Sequence, residues 1–213
     1  MCAMKQTVLF DFDGVIADTE PIYDLFWGDA AQRYHVGYDE FPNLIKGATM
    51  PYVLKTYFSN HSQTEIDQLC RELEAFESQM PFPLIAGSLD FIRLLKEHGV
   101  KLGLVTSSDD SKMANAFRAL PIRELFDTIV TADRITRGKP DPMCYLLGAA
   151  DLQTDPADCL VFEDSFNGIK AARAAGMRVI GVSSSIAADK LQPLVHEVIP
   201  DFAHITMDHF KQW

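Results

Sequence analysis

The sequence has few cysteines and no long apolar run. No stretch approaches the roughly 20 apolar residues that a membrane span needs, and no hydrophobic leader precedes the first predicted strand. We therefore expect a cytoplasmic protein without a membrane partner. The four cysteines, Cys2, Cys70, Cys144 and Cys159, are far apart and form no Cys-x-x-Cys pair, which argues against a zinc site or a disulfide framework.

Basic residues are also scarce, with 19 lysines and arginines against 30 acidic residues and a net charge of −11. Nucleic acid is therefore not expected as a partner, because its phosphates require a basic protein face. A small phosphorylated ligand needs only a local positive pocket. The best basic cluster for such a pocket contains Arg134, Arg137 and Lys139.

Short apolar runs without alternation predict strands of a parallel sheet that is buried on both faces. Five such runs occur, at 8–10, 102–105, 128–130, 160–162 and 179–182. Helical patterns separate most of them: Ser88 is a predicted cap of a helix that ends at Gly99, and Ser165 of one that ends at Gly176. This alternation predicts an α/β fold, a doubly wound, Rossmann-like parallel sheet.

The segment between about Pro21 and Pro83 interrupts the alternation. It contains no convincing strand and is typical of several amphipathic helices, for example over 65–76. We predict that residues 19–83 form an inserted α-helical domain, and that residues 1–18 and 84–213 form the α/β core. A chain of 213 residues is long enough for one substantial core and a smaller second lobe.

Candidate catalytic side chains follow the predicted strands, where open α/β sheets bind their ligands. The first strand ends in Asp11 and Asp13, two acids whose ionised forms require a cation or dense hydrogen bonding when buried. Other strands are followed by hydroxyls and acids, and a lysine lies between them: Thr106, Ser107, Ser108, Lys139, Glu163 and Asp164. Carboxylates without histidine or cysteine partners favour Mg²⁺, and hydroxyls with a lysine suit phosphoryl oxygens.

The spacing of Asp11 and Asp13 suits a division of labour in phosphoryl transfer. A carboxylate can attack phosphorus and form an aspartyl phosphate, while a neighbouring acid protonates the leaving oxygen and later activates water. Residues two apart on a strand point to the same face, so both side chains can reach one phosphoryl group.

Four motifs, in order, resemble those of the haloacid dehalogenase superfamily of phosphohydrolases. They are Asp-x-Asp-Gly-Val from Asp11, the Thr-Ser pair at Thr106, Gly-Lys-Pro-Asp-Pro around Lys139, and Glu-Asp-Ser from Glu163. The resemblance spans nearly the whole chain. The helical insert after the first strand is similar, more narrowly, to that of the β-phosphoglucomutase-like phosphatases, in which it forms a mobile cap.

The resemblance implies roles for the motif residues. Asp11 is expected to be the nucleophile and Asp13 the general acid/base. Mg²⁺ is expected to bind Asp11, the backbone carbonyl of Asp13 and Asp164, with Glu163 ligating through water or orienting the site. Phosphate is expected to bind Thr106, Ser107 and Lys139.

The cap is expected to supply a second set of contacts. Lys46 and Gly47 lie in a segment similar to the family's substrate-specificity loop, with Lys46 within reach of an anionic substrate and Thr49 as a cap of the next helix. Asn167 either lines the site from the last core helix or stabilises the first turn of that helix.

Some positions depart from the phosphosugar mutases of this family. A histidine of the mutases is replaced by Tyr23, an arginine by Met50, and a Lys-Asn pair that holds a second phosphate by Asp109 and Asp110. Two carboxylates would repel that second phosphate. We therefore expect a Mg²⁺-dependent phosphatase acting on a small phosphorylated metabolite, such as a sugar phosphate or pyrophosphate, with a β-phosphoglucomutase-type mutase as the alternative.

Two alternatives belong to other classes. A receiver-type signalling domain also uses an acceptor aspartate, but its metal-binding acids precede the acceptor and it lacks a helical insert. A catalytically silent binding protein would not need both a nucleophile and an acid/base. The substrate stays open among sugar phosphates, polyol phosphates, nucleotides and pyrophosphate. The oligomeric state is also open, with a monomer as the expectation.

Overall fold

A computed structural model of the chain describes residues 7–213. Residues 1–6, with Cys2 and the start of the predicted core, lie outside the described residues. The six strands are β1 (Thr7–Phe10), β2 (Lys101–Val105), β3 (Thr128–Val130), β4 (Cys159–Glu163), β5 (Arg178–Val182) and β6 (Glu197–Ile199). They form one parallel sheet in the order β3-β2-β1-β4-β5-β6.

In the described part of the chain, ten helices accompany the sheet. They are α1 (Glu20–Arg33), α2 (Phe41–Ile45), α3 (Met50–Tyr57), α4 (Gln63–Glu77), α5 (Ser88–Glu97), α6 (Asp110–Ala119), α7 (Met143–Asp151), α8 (Phe166–Ala174), α9 (Ala188–Leu191) and α10 (Met207–Phe210). Four short 3₁₀ turns cover Arg123–Leu125, Ala132–Arg134, Pro156–Asp158 and Gln192–Leu194. Within residues 7–213, none of the helices has both the length and the apolar character needed to cross a membrane.

Both faces of the sheet are buried, as the non-alternating strand pattern predicts. Val8 and Phe10 of β1 pack into the same apolar cluster as Phe91 of α5. Leu9, between them, points to the opposite face and packs into a second cluster with Tyr145 of α7. Because successive side chains of a strand alternate, helices on both sides are needed to cover β1. The doubly wound α/β core with an inserted helical cap is confirmed.

Helices α1 to α4 lie between β1 and α5 in the chain and share a separate apolar core, built around Trp27, Phe41, Phe58 and Leu69. The two connections between this cap and the sheet run side by side, with the amide of Asp18 donating a 2.7 Å hydrogen bond to the carbonyl of Pro83. The predicted division into 19–83 and the remainder stays a prediction.

Two local predictions differ from the structure. Strand β6 was not predicted, because its short segment, Glu197–Ile199, lacks a continuous apolar run. The prediction that Ser88 caps α5 is wrong: Gly87 is the N-cap residue, and the Ser88 hydroxyl instead donates to the carbonyl of Ile16 at 3.1 Å. The predicted cap of α8 is confirmed, because Ser165 Oγ accepts from the amide of Gly168 at 3.1 Å.

Candidate active site

The sheet register brings the predicted motifs to one edge. Phe10 at the end of β1 lies between Leu104 of β2 and Phe162 of β4. The next residue, Asp11, continues this register, with its amide donating to the carbonyl of Phe162 at 3.1 Å. Because parallel strands all end on the same side, the acids after β1 and β4 meet there.

Lys139 lies at the centre of this edge. Its Nζ is 3.0 Å from Asp11 Oδ1 and 2.6 Å from Glu163 Oε1, and the side chain is fully buried. Burial opposes the charged ammonium, but the charges of Asp11 and Glu163 outweigh it and raise the pKa of Lys139. The lysine therefore stays protonated and supplies a fixed positive charge to the site.

Three buried carboxylates form a group that could hold a cation. The side chains of Asp11, Glu163 and Asp164 each present an oxygen within 4.8 Å of the others. Burial, together with the charge of Glu20, raises the pKa of Asp164 well above its usual range, and burial raises the pKa of Asp11 in spite of Lys139. An all-oxygen donor set of this kind fits a hard divalent cation such as Mg²⁺.

Glu163 has little bonding capacity left for a ligand. Its Oε1 accepts from Lys139 and, at 2.9 Å, from the hydroxyl of Tyr145. Its Oε2 accepts from the amides of Asp164 and Ser165 and from the Ser165 hydroxyl, each at 3.0 Å. Since a carboxylate has about four lone-pair sites, this geometry favours an orienting role over direct ligation.

Asp13 has different surroundings. Lys112 Nζ is 2.7 Å from both of its carboxylate oxygens, and the hydroxyls of Thr19 and Ser108 also donate to it, Ser108 at 2.9 Å. Burial favours the neutral acid, but the charge of Lys112 and these hydrogen bonds outweigh it and lower the pKa of Asp13. The side chain of Asp13 is thus separate from the cation-binding group, although the two aspartates are only two residues apart.

The hydroxyls predicted to bind phosphate have other partners in this conformation. Thr106 is buried, and its Oγ1 accepts from the amide of Ser108 at 3.0 Å. Ser107 Oγ donates to the carbonyl of Gly47 at 2.7 Å, which connects the core to the cap. Phosphate binding by these two residues stays a prediction.

The cap loop lies against the core. Asn167 Nδ2 donates to the carbonyl of Lys46 at 2.9 Å, so Asn167 contacts the cap. This contact is neither of its two predicted roles, which were to line the site and to stabilise its own helix. The Lys46 side chain is buried, with Nζ 3.0 Å from Asp24 Oδ2 and 3.8 Å from Glu20 Oε2. Thr49 precedes α3 as predicted, but its side chain makes no capping hydrogen bond.

Several residues of the site were not predicted from the sequence. They include Thr19, Glu20, Lys112, Tyr145 and Ser185, whose hydroxyl donates to Asp164. Lys112 lies in the first turn of α6, whose cap residue is Asp109. Its position shortly after the Thr-Ser motif could have identified Lys112 as a site residue. Glu20 begins α1 directly after the β1 motif, and burial with the charge of Asp13 raises its pKa to about 7.

Comparison with known proteins agrees with this arrangement. The family model for haloacid dehalogenase-like hydrolases matches residues 8–182. Similar proteins include validoxylamine A 7'-phosphate phosphatase of Streptomyces hygroscopicus subsp. limoneus, 29% identical over 88% of this chain and 90% of the relative. Another is β-phosphoglucomutase of Bacillus subtilis, 32% identical over 97% of each chain.

The fold agrees with a solved structure as well. β-Phosphoglucomutase from Clostridium difficile superimposes with a TM-score of 0.83 at 24% identity, covering 98% of this chain and 96% of that one. The family match includes Asp11, Lys139 and Asp164. The chain belongs to the haloacid dehalogenase-like hydrolases.

Proposed function

We propose that this protein is a Mg²⁺-dependent phosphatase that hydrolyses a small phosphorylated metabolite through an aspartyl phosphate, an acyl phosphate formed on Asp11. Two neighbouring carboxylates with different surroundings carry this proposal. Asp11 lies among the cation-binding acids and beside Lys139, whereas Asp13 is held by hydrogen-bond donors on another side. One carboxylate is thus suited to attack phosphorus, and the other to transfer protons.

In the first step, a carboxylate oxygen of Asp11 forms a bond to phosphorus as the bond to the leaving oxygen breaks. Asp13 transfers a proton to that leaving oxygen, so the alcohol departs neutral. Because the pKa of Asp13 is lowered in this conformation, this proton is one that Asp13 takes up as the phosphoryl group binds. In the second step, water attacks the phosphorus of the aspartyl phosphate and gives a proton to Asp13. Inorganic phosphate leaves, and Asp11 is restored as a carboxylate.

Lys139 lowers the electrostatic barrier to an anion attacking an anion, and a cation bound beside it would lower that barrier further. Asp11 and Asp164 would hold Mg²⁺ together with the carbonyl of Asp13, and Glu163 would orient Lys139. When bound, Mg²⁺ offsets the charge of the phosphoryl group and the acids. The Lys139 ammonium, which is fixed between Asp11 and Glu163, would bind a phosphoryl oxygen.

Hydrolysis is favoured over mutase activity by the acids at the start of α6. Asp109 caps this helix by accepting from the amide of Lys112 at 2.8 Å, and Asp110 accepts from the Thr131 hydroxyl at 2.7 Å. Both carboxylates are exposed and lie next to Ser108, which contacts Asp13. Their charges would repel a second phosphate of a bisphosphorylated sugar intermediate.

The test is a screen for released inorganic phosphate, with and without Mg²⁺, over sugar phosphates, polyol phosphates, nucleotides and pyrophosphate. We expect phosphate release from at least one compound, with loss of activity on chelation. β-Glucose 1-phosphate is included as the mutase substrate. If it is isomerised to the 6-phosphate faster than any compound releases phosphate, the protein is a mutase and the proposal is wrong.

A further inference from the structure

Three consecutive serines follow β5 and belong to none of the four motifs. Ser183, Ser184 and Ser185 are half-buried at the carboxyl end of this strand, the edge of the sheet where the candidate active site lies. Two of their hydroxyls reach this site. The Ser184 hydroxyl donates to the carbonyl of Gly14, and the Ser185 hydroxyl donates to Asp164 Oδ2. The serines therefore connect the end of β5 to the turn after β1 and to the acid after β4.

The loop that carries the serines is fixed on both sides of Ser185. At its start, the Ser183 amide donates to the carbonyl of Ile199 in β6 at 2.9 Å, and the Ser183 hydroxyl donates to the same carbonyl at 3.4 Å. Directly after Ser185, Ile186 is buried in the apolar cluster that contains Val179 of β5. A hydroxyl on a fixed loop restricts the side chain that it binds, because the donor cannot follow the acceptor when the acceptor rotates.

Ser185 fixes the orientation of the Asp164 carboxylate. Its hydroxyl takes up Oδ2, and no other donor among residues 7–213 binds this side chain. The backbone of Gly14 lies against the same oxygen, at a φ of +72°, and a Cβ atom there would overlap Oδ2. One oxygen of Asp164 is therefore held by the protein, and the other, Oδ1, is left for a cation.

Asp164 needs this support more than the two acids beside it. The side chains of Asp11, Glu163 and Asp164 each present an oxygen within 4.8 Å of the others, so their negative charges repel one another. Asp11 and Glu163 share the Lys139 ammonium, at 3.0 and 2.6 Å. Asp164 forms no ion pair with any residue that the structure describes. The neutral hydroxyl of Ser185 holds Asp164 in the group without a positive charge that would repel a cation.

We propose that Ser185 is a positioning residue for the cation-binding site, because its hydroxyl holds Asp164 in the orientation that a divalent cation needs. This inference rests on the proposed phosphatase reaction, in which Asp164 is a ligand of Mg²⁺. Removing a hydrogen bond to a metal ligand typically lowers metal affinity by about 10–100-fold. Without the Ser185 hydroxyl, Asp164 can rotate away from Asp11 and Glu163, and the site binds the cation more weakly.

Binding of the metal alone tests the proposal without turnover. Free Mn²⁺ is followed by electron paramagnetic resonance as metal-free protein is titrated, and competition with Mg²⁺ gives the Kd of Mg²⁺. We expect Ser185→Ala to bind Mg²⁺ about 10–100-fold more weakly than the wild-type protein. Ser185→Thr keeps a hydroxyl and should recover most of the loss. Ser183→Ala is the matched control, because its hydroxyl binds Ile199 and not the site, and it should keep the wild-type Kd.

A comparison of two cations separates positioning from a general loss of structure. Mg²⁺ requires near-octahedral ligands, whereas Ca²⁺ accepts irregular arrangements and more ligands. Ser185→Ala should therefore weaken Mg²⁺ binding more than Ca²⁺ binding, with Ca²⁺ measured by the same competition against Mn²⁺. Equal weakening of both cations would contradict a positioning role for Ser185.

Folded Ser185→Ala that binds Mg²⁺ with the wild-type Kd would also overturn the inference. Circular dichroism with a chelator present shows whether the variant folds. If it does not fold, Ser185→Cys takes its place, because a thiol is close to a hydroxyl in shape but donates only a weak hydrogen bond. A wild-type Kd in folded Ser185→Cys is then the contradicting result. Wild-type protein that binds neither Mg²⁺ nor Mn²⁺ would instead contradict the Mg²⁺-dependent phosphatase, so the two failures are distinct.

Discussion

Ser107 and Gly47 connect the core to the cap by a single hydrogen bond, in which the Ser107 hydroxyl donates to the Gly47 carbonyl at 2.7 Å. The same loop is held by Asn167, which donates to the carbonyl of Lys46. Ser107 was predicted to bind phosphate, and Asn167 either to line the site or to stabilise the first turn of its own helix. In this conformation they bind the backbone of the cap loop, so residues next to the candidate site also hold this loop against the core.

Gly47 should not tolerate a side chain. Its φ is +72°, and a Cβ atom would overlap the Ser165 hydroxyl on the core. We expect Gly47→Ala to cost about 1–3 kcal/mol at this position and to lower kcat/KM by hindering closure of the cap. Steady-state kinetics and urea unfolding measure the two effects.

Gly37→Ala is the matched control in the same cap, because a Cβ atom at Gly37 meets nothing within 4 Å. It should leave kcat/KM near the wild-type value. A Gly47→Ala protein with the activity of Gly37→Ala would show that the close contact with Ser165 is not needed for catalysis.

Lys139→Met should destabilise the metal-free protein in a pH-dependent way. Without the ammonium, the buried carboxylates of Asp11 and Glu163 lose their shared partner, which costs about 3–5 kcal/mol at pH 8. The loss should be smaller at pH 5, because one of the acids can take up a proton and become neutral. Urea unfolding with a chelator at both pH values measures this difference.

The control for this experiment is Lys96→Met. Lys96 pairs with Asp127 in a part-exposed contact, so its loss should cost less than about 1 kcal/mol at either pH. Equal destabilisation by Lys139→Met at pH 5 and pH 8 would mean that the two buried acids do not depend on the lysine for their charge.

Glu20 should make the metal-free protein less stable as pH rises. Burial and the charge of Asp13 raise the pKa of Glu20 from its ordinary 4.5 to about 7. Between these values the native state binds more protons than the unfolded state, so the free energy of unfolding falls as pH increases from 4.5 to 7. The contribution of this group is at most about 3 kcal/mol.

Glu20→Gln should flatten that slope when unfolding is followed from pH 5 to pH 8 in the presence of a chelator. The remaining slope includes contributions from Asp11, Asp164 and Glu77, whose pKa values are also raised by burial. Glu74→Gln, at an exposed position of α4, is the control and should keep the wild-type slope. Parallel curves for the wild-type and Glu20→Gln proteins would contradict the raised pKa.

Residues that follow a strand were the predictable part of the site. Asp11, Glu163 and Asp164 adjoin apolar runs whose order and direction could be inferred, and parallel strands end at one edge whatever the details of packing. Lys139 was recognisable from its motif, although its pairing with Asp11 and Glu163 depends on how the following helix packs. The fold class was predictable because the same apolar runs, separated by helical patterns, indicate a parallel sheet.

Contacts between distant segments were not predictable. Lys112 meets Asp13 across 99 positions, and Ser107 meets Gly47 across 60. A lysine in the first turn of a helix is usually solvated, whereas Lys112 is buried against Asp13 and the rings of Phe12 and Tyr23. Strand β6 was missed because three residues at the edge of the sheet leave a weak pattern.

The most direct test of the central claim is to locate the phosphoryl group on the enzyme during turnover. The wild-type protein and an Asp13→Asn variant are mixed with Mg²⁺ and a compound that the wild-type protein hydrolyses. The reactions are quenched in acid, and the peptides are analysed by mass spectrometry. We predict one phosphoryl group on Asp11, with more of it in Asp13→Asn because water activation is impaired, and no steady turnover by Asp11→Asn. A phosphoryl group on another residue, or sustained turnover by folded Asp11→Asn, would contradict the account.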